Sequence, residues 1–88
     1  MSRNYLTSDE ARSKFPTLKI GENCKIHKTV TMNSNVEIGS NVWVGSDVEI
    51  GCEVIIESNV WVGWNTRIAG YTFIKSGRKI SPDSEIDE

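Results

Sequence analysis

The segment NVWVGSDVEIGCEVIIESNVWVG, residues 41–63, contains the same pentapeptide twice. NVWVG begins at Asn41 and begins again at Asn59, eighteen residues later. Both copies keep a tryptophan between two valines, at Trp43 and Trp61. A repeat at a fixed distance in a chain of 88 residues indicates an architecture built by stacking equivalent units.

A shorter period of six residues runs through most of the chain. Every sixth residue from Ile20 to Ile86 is aliphatic or Met. This spacing does not keep residues on one face of an α-helix, which has about 3.6 residues per turn. Asn, Asp or Gly, which tolerate left-handed backbone geometry, follows three residues after most of these positions. Each six-residue unit is therefore predicted to form a short strand, which Val and Ile favour, followed by a turn.

The two periods together predict a triangular solenoid. An eighteen-residue repeat contains three six-residue units, so each coil has three sides. A strand of about three residues does not bury an apolar face alone, but stacked coils bury their aliphatic residues along a common axis. Periodicity by itself therefore predicts a parallel β-solenoid.

This pattern resembles the hexapeptide-repeat family of left-handed parallel β-helices. The resemblance implies an all-β, left-handed, three-sided parallel β-helix over residues 20–86, although parallel crossovers are usually right-handed. Residues 1–19 precede the repeat. Within them, Thr7-Ser8-Asp9-Glu10 has the form of a capping box that opens a short helix, and Pro16 ends it. We therefore expect residues 1–19 to form an N-terminal cap with a short helix.

Stacked coils place residues eighteen apart in outward-facing columns. The three columns are Lys25, Trp43, Trp61 and Lys79, then Thr31, Glu49, Arg67 and Glu85, and then Lys19, Glu37, Ile55 and Phe73. The stacked tryptophans and the pair Ile55 and Phe73 form apolar patches that a lone prism would expose to water. We expect one or both patches to contact another subunit, and the family resemblance implies a homotrimer.

Residues 41–51, NVWVGSDVEIG, are similar to a segment of the coenzyme A-dependent acetyltransferases of this family. The resemblance implies that acetyl-coenzyme A binds along the edge between two subunits. It also implies that a histidine acts as general base toward a small-molecule hydroxyl or amine acceptor. His27 is the only histidine, so it is the candidate catalytic residue. The candidate cofactor-binding residues are Trp43, Trp61, Lys75 and Lys79, with the lysines in a late basic cluster that suits phosphates.

A second function fits the same pattern. Family enzymes usually have a loop that interrupts the repeats and supplies the acceptor pocket, and nothing interrupts the count from Ile20 to Ile86. The alternative is therefore a non-catalytic trimeric β-helix scaffold or interaction module whose tryptophan column is an interface. In that case His27 is a solvated corner residue, and the basic cluster of Arg67, Lys75, Arg78 and Lys79 is an ordinary charged end.

Composition argues against several other classes. A formal net charge of -2 does not favour nucleic-acid binding, and no apolar run is long enough to span a membrane. Cys24 and Cys52 are too few for a disulfide framework and lack metal-ligand spacing, which favours a reducing, cytoplasmic location. The family resemblance also includes zinc-dependent carbonic anhydrases. One histidine cannot supply their three histidine ligands, so we expect no metal.

Overall fold

The computed structural model describes residues 4–87, which form a three-sided parallel β-solenoid with one short helix near the N-terminus. The first elements among the described residues are strand β1 (Tyr5–Leu6) and helix α1 (Ser8–Lys14). The solenoid strands are β2 (Lys19–Ile20), β3 (Lys25–His27), β4 (Thr31–Met32), β5 (Glu37–Ile38), β6 (Trp43–Val44), β7 (Glu49–Ile50), β8 (Ile55–Ile56), β9 (Trp61–Val62), β10 (Arg67–Ile68), β11 (Phe73–Ile74), β12 (Lys79–Ile80) and β13 (Glu85–Ile86).

The strands form three sheets, one for each side of the prism. The tryptophan side contains β1, β3, β6, β9 and β12, the Arg67 side contains β4, β7, β10 and β13, and the Phe73 side contains β2, β5, β8 and β11. The solenoid strands pair in parallel with the strand one coil away, so that Trp43 lies opposite Trp61. The predicted fold class and all three outward-facing columns are confirmed.

Main-chain hydrogen bonds join each coil to the next. The N–H of Trp43 donates to the carbonyl oxygen of Val60 at 3.0 Å, and the N–H of Lys25 donates to Val42 at 3.0 Å. At a corner the direction reverses, and the N–H of Asn59 donates to Ser40 at 2.9 Å. Two-residue strands have too few partners within one coil, so stacking satisfies backbone groups that burial would otherwise leave unpaired.

The solenoid axis is filled by the aliphatic residues of the six-residue period and by the valines that follow them. The largest fully buried side chains are Ile26, Ile50, Ile56, Ile68, Ile74, Val36, Val42, Val44, Val48, Val54, Val60 and Val62. Complete burial of one such side chain stabilises a fold by about 1.5–3 kcal/mol. A narrow column of many small contributions therefore replaces the broad core that a chain of this length cannot build.

The corners depend on left-handed backbone geometry and on close approach of neighbouring coils. The non-glycine residues with positive φ, between 56° and 62°, are Asn23, Asn35, Asn41, Asp47, Glu53, Asn59, Asn65, Tyr71 and Asp83. Glu53 and Tyr71 are exceptions to the Asn, Asp or Gly rule. At Gly39 the requirement is space, because a Cβ there would lie 2.6 Å from the backbone nitrogen of Ser58 in the next coil.

The N-terminal segment covers the first coil. The Thr7 side chain accepts the N–H of Glu10 at 3.2 Å and the Glu10 side chain accepts the N–H of Thr7 at 2.9 Å, so the predicted capping box and helix are confirmed. Strand β1, which the sequence did not predict, pairs antiparallel with β3. Residues 1–3 of the predicted cap lie outside the described residues, and its division from the repeat, 1–19 and 20–86, stays a prediction.

Shortening one core residue tests the stacked core. Ile50 is 1% exposed on β7, and Ile50→Ala leaves a cavity between coils that cannot collapse freely. We expect a loss of about 2–5 kcal/mol in the free energy of unfolding, measured by urea denaturation with circular dichroism. The control, Glu37→Ala on the exposed face of β5, changes little. A loss below about 1 kcal/mol for Ile50→Ala would contradict this packing.

Candidate functional site

The tryptophan side presents a stack of aromatic rings. The centroids of the Trp43 and Trp61 rings lie 5.0 Å apart, and the ring planes differ by only 5°. The ammonium of Lys79 lies 5.6 Å from the centroid of Trp61, which is within the range of a cation–π contact. This geometry follows from the register, because parallel pairing places Trp61 directly between Trp43 and Lys79.

Tyr5 extends the stack toward the N-terminal end. Pairing of β1 with β3 places Tyr5 opposite His27, and the two rings meet edge-on with centroids 4.9 Å apart. The Tyr5 ring also lies 5.6 Å from Trp43. We call Tyr5, Trp43 and Trp61 the aromatic ladder; His27 contacts one end of it and Lys79 the other. Sequence reasoning missed Tyr5, because a two-residue strand outside the repeat has no periodicity to detect.

The flat faces of the ladder rings are largely covered by one another. Trp61 has Trp43 stacked against it and Lys79 above it. Trp64 meets Trp61 edge-on at 6.4 Å, and its side chain remains 46% exposed. At Gly45 a Cβ would lie 3.1–3.2 Å from two ring carbons of Trp43, so the glycine makes room for that ring. A ligand on this side therefore meets mainly the ring edges of the ladder and the exposed indole of Trp64.

His27 is half-buried at the end of β3 and is held by Thr29. The backbone N–H of Thr29 donates to Nδ1 of His27 at 3.2 Å, and the Thr29 hydroxyl oxygen lies 2.9 Å from the same nitrogen. That oxygen also accepts the backbone N–H of Asp47 from the next coil at 2.8 Å. The imidazole is therefore oriented by contacts on its Nδ1 side and by the Tyr5 ring.

The predicted basic cluster divides between two sides of the prism. Lys75 lies in the turn between β11 and β12 and is exposed, as is Lys79 on β12. Arg67 lies on a different side, where its Nε is 3.3 Å from a carboxylate oxygen of Glu49. The structure thus places Lys75 and Lys79 near one end of the tryptophan side. His27 lies toward the other end, three coil steps or roughly 14 Å along the axis from Lys79.

The surface has two further features. An open groove of about 810 Å³ lies between the N-terminal cap and the first coil, and its lining includes Tyr5, Arg12 and Lys25. On the Phe73 side, Ile55 and Phe73 are neighbours and are 39% and 50% exposed, which confirms the predicted apolar patch.

The cysteines do not contribute to the ladder. Cys24 is buried in the core, where its Sγ lies 3.0 Å from the carbonyl oxygen of Gly39, and Cys52 is half-buried at a corner. Both are free thiols. Within residues 4–87, no three His, Cys, Asp or Glu side chains converge in a way that could hold a metal ion. Within the same span, no helix has the length and apolar character needed to cross a bilayer.

No protein-family model and no curated protein matches the chain. Solved structures of acyltransferases are similar to it. A variant of AntD, an N-acyltransferase from Bacillus cereus in complex with dTDP and coenzyme A, matches over 99% of this chain and 82% of that chain, with 12% identity and a TM-score of 0.54. At this identity the likeness to AntD shows the fold alone.

Two serine acetyltransferases give weaker matches. Isoform 3 from Entamoeba histolytica, in complex with cysteine, is 18% identical over 91% of this chain and 37% of that chain, with a TM-score of 0.46. The enzyme from Neisseria gonorrhoeae, in complex with serine, is 19% identical over 83% of this chain and 38% of that chain, with a TM-score of 0.32. The chain therefore spans little more than a third of these two proteins.

A double-mutant cycle tests the ladder. Because the Trp43 and Trp61 rings stack directly, Trp43→Ala and Trp61→Ala should be coupled by about 0.5–1.5 kcal/mol in the free energy of unfolding. The measurement is urea denaturation of the two single variants and the double variant at one protein concentration. A control cycle pairs Trp43→Ala with Phe73→Ala, which lies in a different sheet, and should show coupling near zero. Equal coupling in the two cycles would contradict a specific stack.

Proposed function

We propose that the protein is a coenzyme A-dependent acyltransferase that works as a homotrimer. In this proposal it transfers an acetyl group from acetyl-coenzyme A to a small acceptor with a hydroxyl or an amine. The observation that supports the proposal is the continuous row of contacts from His27 through the aromatic ladder to Lys79. This row joins the proposed proton acceptor, His27, to exposed cations across one apolar strip.

The residues of the tryptophan side suit the chemistry of acetyl-coenzyme A. The ring edges of Trp43 and Trp61 offer an apolar surface to a long, thin thioester arm. The ammonium groups of Lys75 and Lys79 suit phosphate oxygens, because charge-assisted hydrogen bonds are the strong ones. When bound, acetyl-coenzyme A supplies an acetyl group activated as a thioester. The strip thus has His27 at one end and the candidate cofactor-binding residues Lys75 and Lys79 at the other. Trp43 and Trp61, the remaining candidates, lie between the two ends.

In the proposed reaction His27 acts as general base. Nε2 of His27 takes the proton from the acceptor hydroxyl or amine as the acceptor oxygen or nitrogen bonds to the acetyl carbon. The carbon–sulfur bond breaks, and the imidazolium returns its proton to the departing sulfur. Nε2 must therefore have a free lone pair, which places the ring proton on Nδ1. The hydroxyl oxygen of Thr29, 2.9 Å away, is then the acceptor for that proton.

A trimer would supply the second wall of the site. The tryptophan side of one prism is a flat surface, whereas small-molecule sites are concave. Exposed Ile55 and Phe73 on a second side give a neighbouring subunit an apolar surface to contact. A cytoplasmic location is part of the proposal, and the free thiols of Cys24 and Cys52 support it.

A second candidate is a non-catalytic trimeric scaffold. The observation that favours it is the mutual packing of the ladder rings, which uses their faces for internal contacts. In this case the tryptophan side and the Phe73 patch are both protein interfaces, and His27 is a packed corner residue.

Calorimetric titration with acetyl-coenzyme A separates the two candidates. We expect saturable heat in the micromolar range for the enzyme, and weaker binding by several-fold for Lys75→Ala or Lys79→Ala, since each variant removes a cation near the phosphates. Lys19→Ala, an exposed lysine on the Phe73 side, is the matched control and should bind as the unchanged protein does.

The enzyme proposal and the trimer proposal are tested by separate measurements. Absence of heat at high micromolar acetyl-coenzyme A contradicts the enzyme and leaves the scaffold. Sedimentation equilibrium measures the assembly, for which we expect three protomers of 9.9 kDa and dissociation in Phe73→Glu. A protein that sediments as a monomer at micromolar concentration contradicts the trimer.

A further inference from the structure

We infer that Thr29 controls the protonation geometry of His27 and thereby the reactivity of its Nε2. The catalytic consequence of this inference rests on the proposed function, because only an enzyme uses His27 as a base. The geometry itself, and its effect on the imidazole, can be measured without any acetyl transfer. Thr29 is therefore assigned as a positioning residue that acts through His27.

The backbone N–H of Thr29 determines which nitrogen of the His27 ring is protonated in the resting state. Its N–H donates to Nδ1 of His27 at 3.2 Å, and a backbone N–H can only donate. Nδ1 therefore presents its lone pair, and the neutral ring has its proton on Nε2. In this resting tautomer Nε2 is a donor, so His27 must first change tautomer before Nε2 can accept a proton.

The hydroxyl of Thr29 stabilises the other tautomer. Its oxygen is held in place by the N–H of Asp47 in the next coil, at 2.8 Å, and keeps a second lone pair. When Nδ1 has the proton, that lone pair accepts it across the observed 2.9 Å. The hydroxyl thus provides an acceptor for the tautomer protonated on Nδ1, in which Nε2 can act as base and which we call the base-competent ring. The backbone N–H instead favours the resting ring, which is protonated on Nε2.

Loss of the hydroxyl should affect the two tautomers unequally. In the resting ring, two donors from Thr29 share one lone pair of Nδ1, so the second donor adds little. In the base-competent ring, the Thr29 oxygen is the acceptor that this geometry provides for Nδ1–H. Thr29→Val keeps the backbone donor and the side-chain shape but removes that acceptor. The variant should therefore populate the base-competent ring about tenfold less.

Nitrogen-15 spectroscopy of the imidazole tests the resting tautomer. The chain has one histidine, so the spectrum contains one ring and needs no assignment. In the neutral ring we expect an unprotonated Nδ1 and a protonated Nε2, both in the unchanged protein and in Thr29→Val. A protonated Nδ1, or an even average of the two tautomers, would overturn the inference.

Carbethoxylation by diethyl pyrocarbonate tests the control of reactivity. The reagent attacks an unprotonated imidazole nitrogen, and because Thr29 covers Nδ1, the reaction takes place at Nε2 of the tautomer protonated on Nδ1. The rate is followed by absorbance on the 88-residue protein. We expect Thr29→Val to react about tenfold more slowly than the unchanged protein, and Thr29→Ser, which restores the hydroxyl, to react at the original rate. Equal rates for Thr29→Val and Thr29→Ser would overturn the inference.

A matched variant separates this effect from loss of a coil-to-coil hydrogen bond. The hydroxyl of Thr17 accepts the N–H of Asn35 from the next coil at 3.0 Å, as that of Thr29 accepts Asp47, but without a histidine beside it. Thr17→Val should leave the rate unchanged, and a tenfold fall there would overturn the inference. If acetyl-coenzyme A does not bind while these results hold, the proposed function fails and the control by Thr29 stands.

Discussion

The hydrogen bond from the N–H of one coil to the carbonyl oxygen of the next is the constraint on which this molecule depends. Strands of two residues cannot form a stable sheet within one coil, so each must find its partner one coil away. The hydrogen bond from the N–H of Trp43 to the carbonyl oxygen of Val60 is one of these coil-to-coil bonds, and the same offset repeats along the solenoid. Once the offset is fixed, the core, the corners and the outward columns follow from it.

The candidate site is a consequence of the same offset. Parallel register places Trp43, Trp61 and Lys79 above one another, so the ring stack needs no additional structural device. The antiparallel strand β1 then adds Tyr5 and joins the stack to His27. The corner that holds His27 also depends on the next coil, because the N–H of Asp47 fixes the Thr29 hydroxyl. Fold and imidazole geometry are therefore linked by one coil-to-coil contact.

Elements with a local signature could be predicted from the sequence, whereas elements that depend on a long-range contact could not. The period revealed the solenoid and its columns, and the capping box revealed α1, because each has a local signature. Strand β1 has no such signature, since its pairing with β3 depends on a long-range contact. The left-handed corners at Glu53 and Tyr71 break the residue rule, and at both the backbone N–H still donates to a carbonyl oxygen of the neighbouring coil. The sequence already placed Arg67 and Lys79 in different columns, and the structure adds that Lys75 lies in the turn that precedes β12.

The most direct test of this account is detection of the coil-to-coil hydrogen bonds themselves. Through-bond scalar couplings in nuclear magnetic resonance report which N–H shares its proton with which carbonyl group. The account predicts couplings from Lys25 to Val42 and from Trp43 to Val60, each spanning seventeen residues. If the amides of Lys25 and Trp43 instead couple to carbonyl groups four residues away, or at any offset other than seventeen, the stacked solenoid and everything derived from it are contradicted.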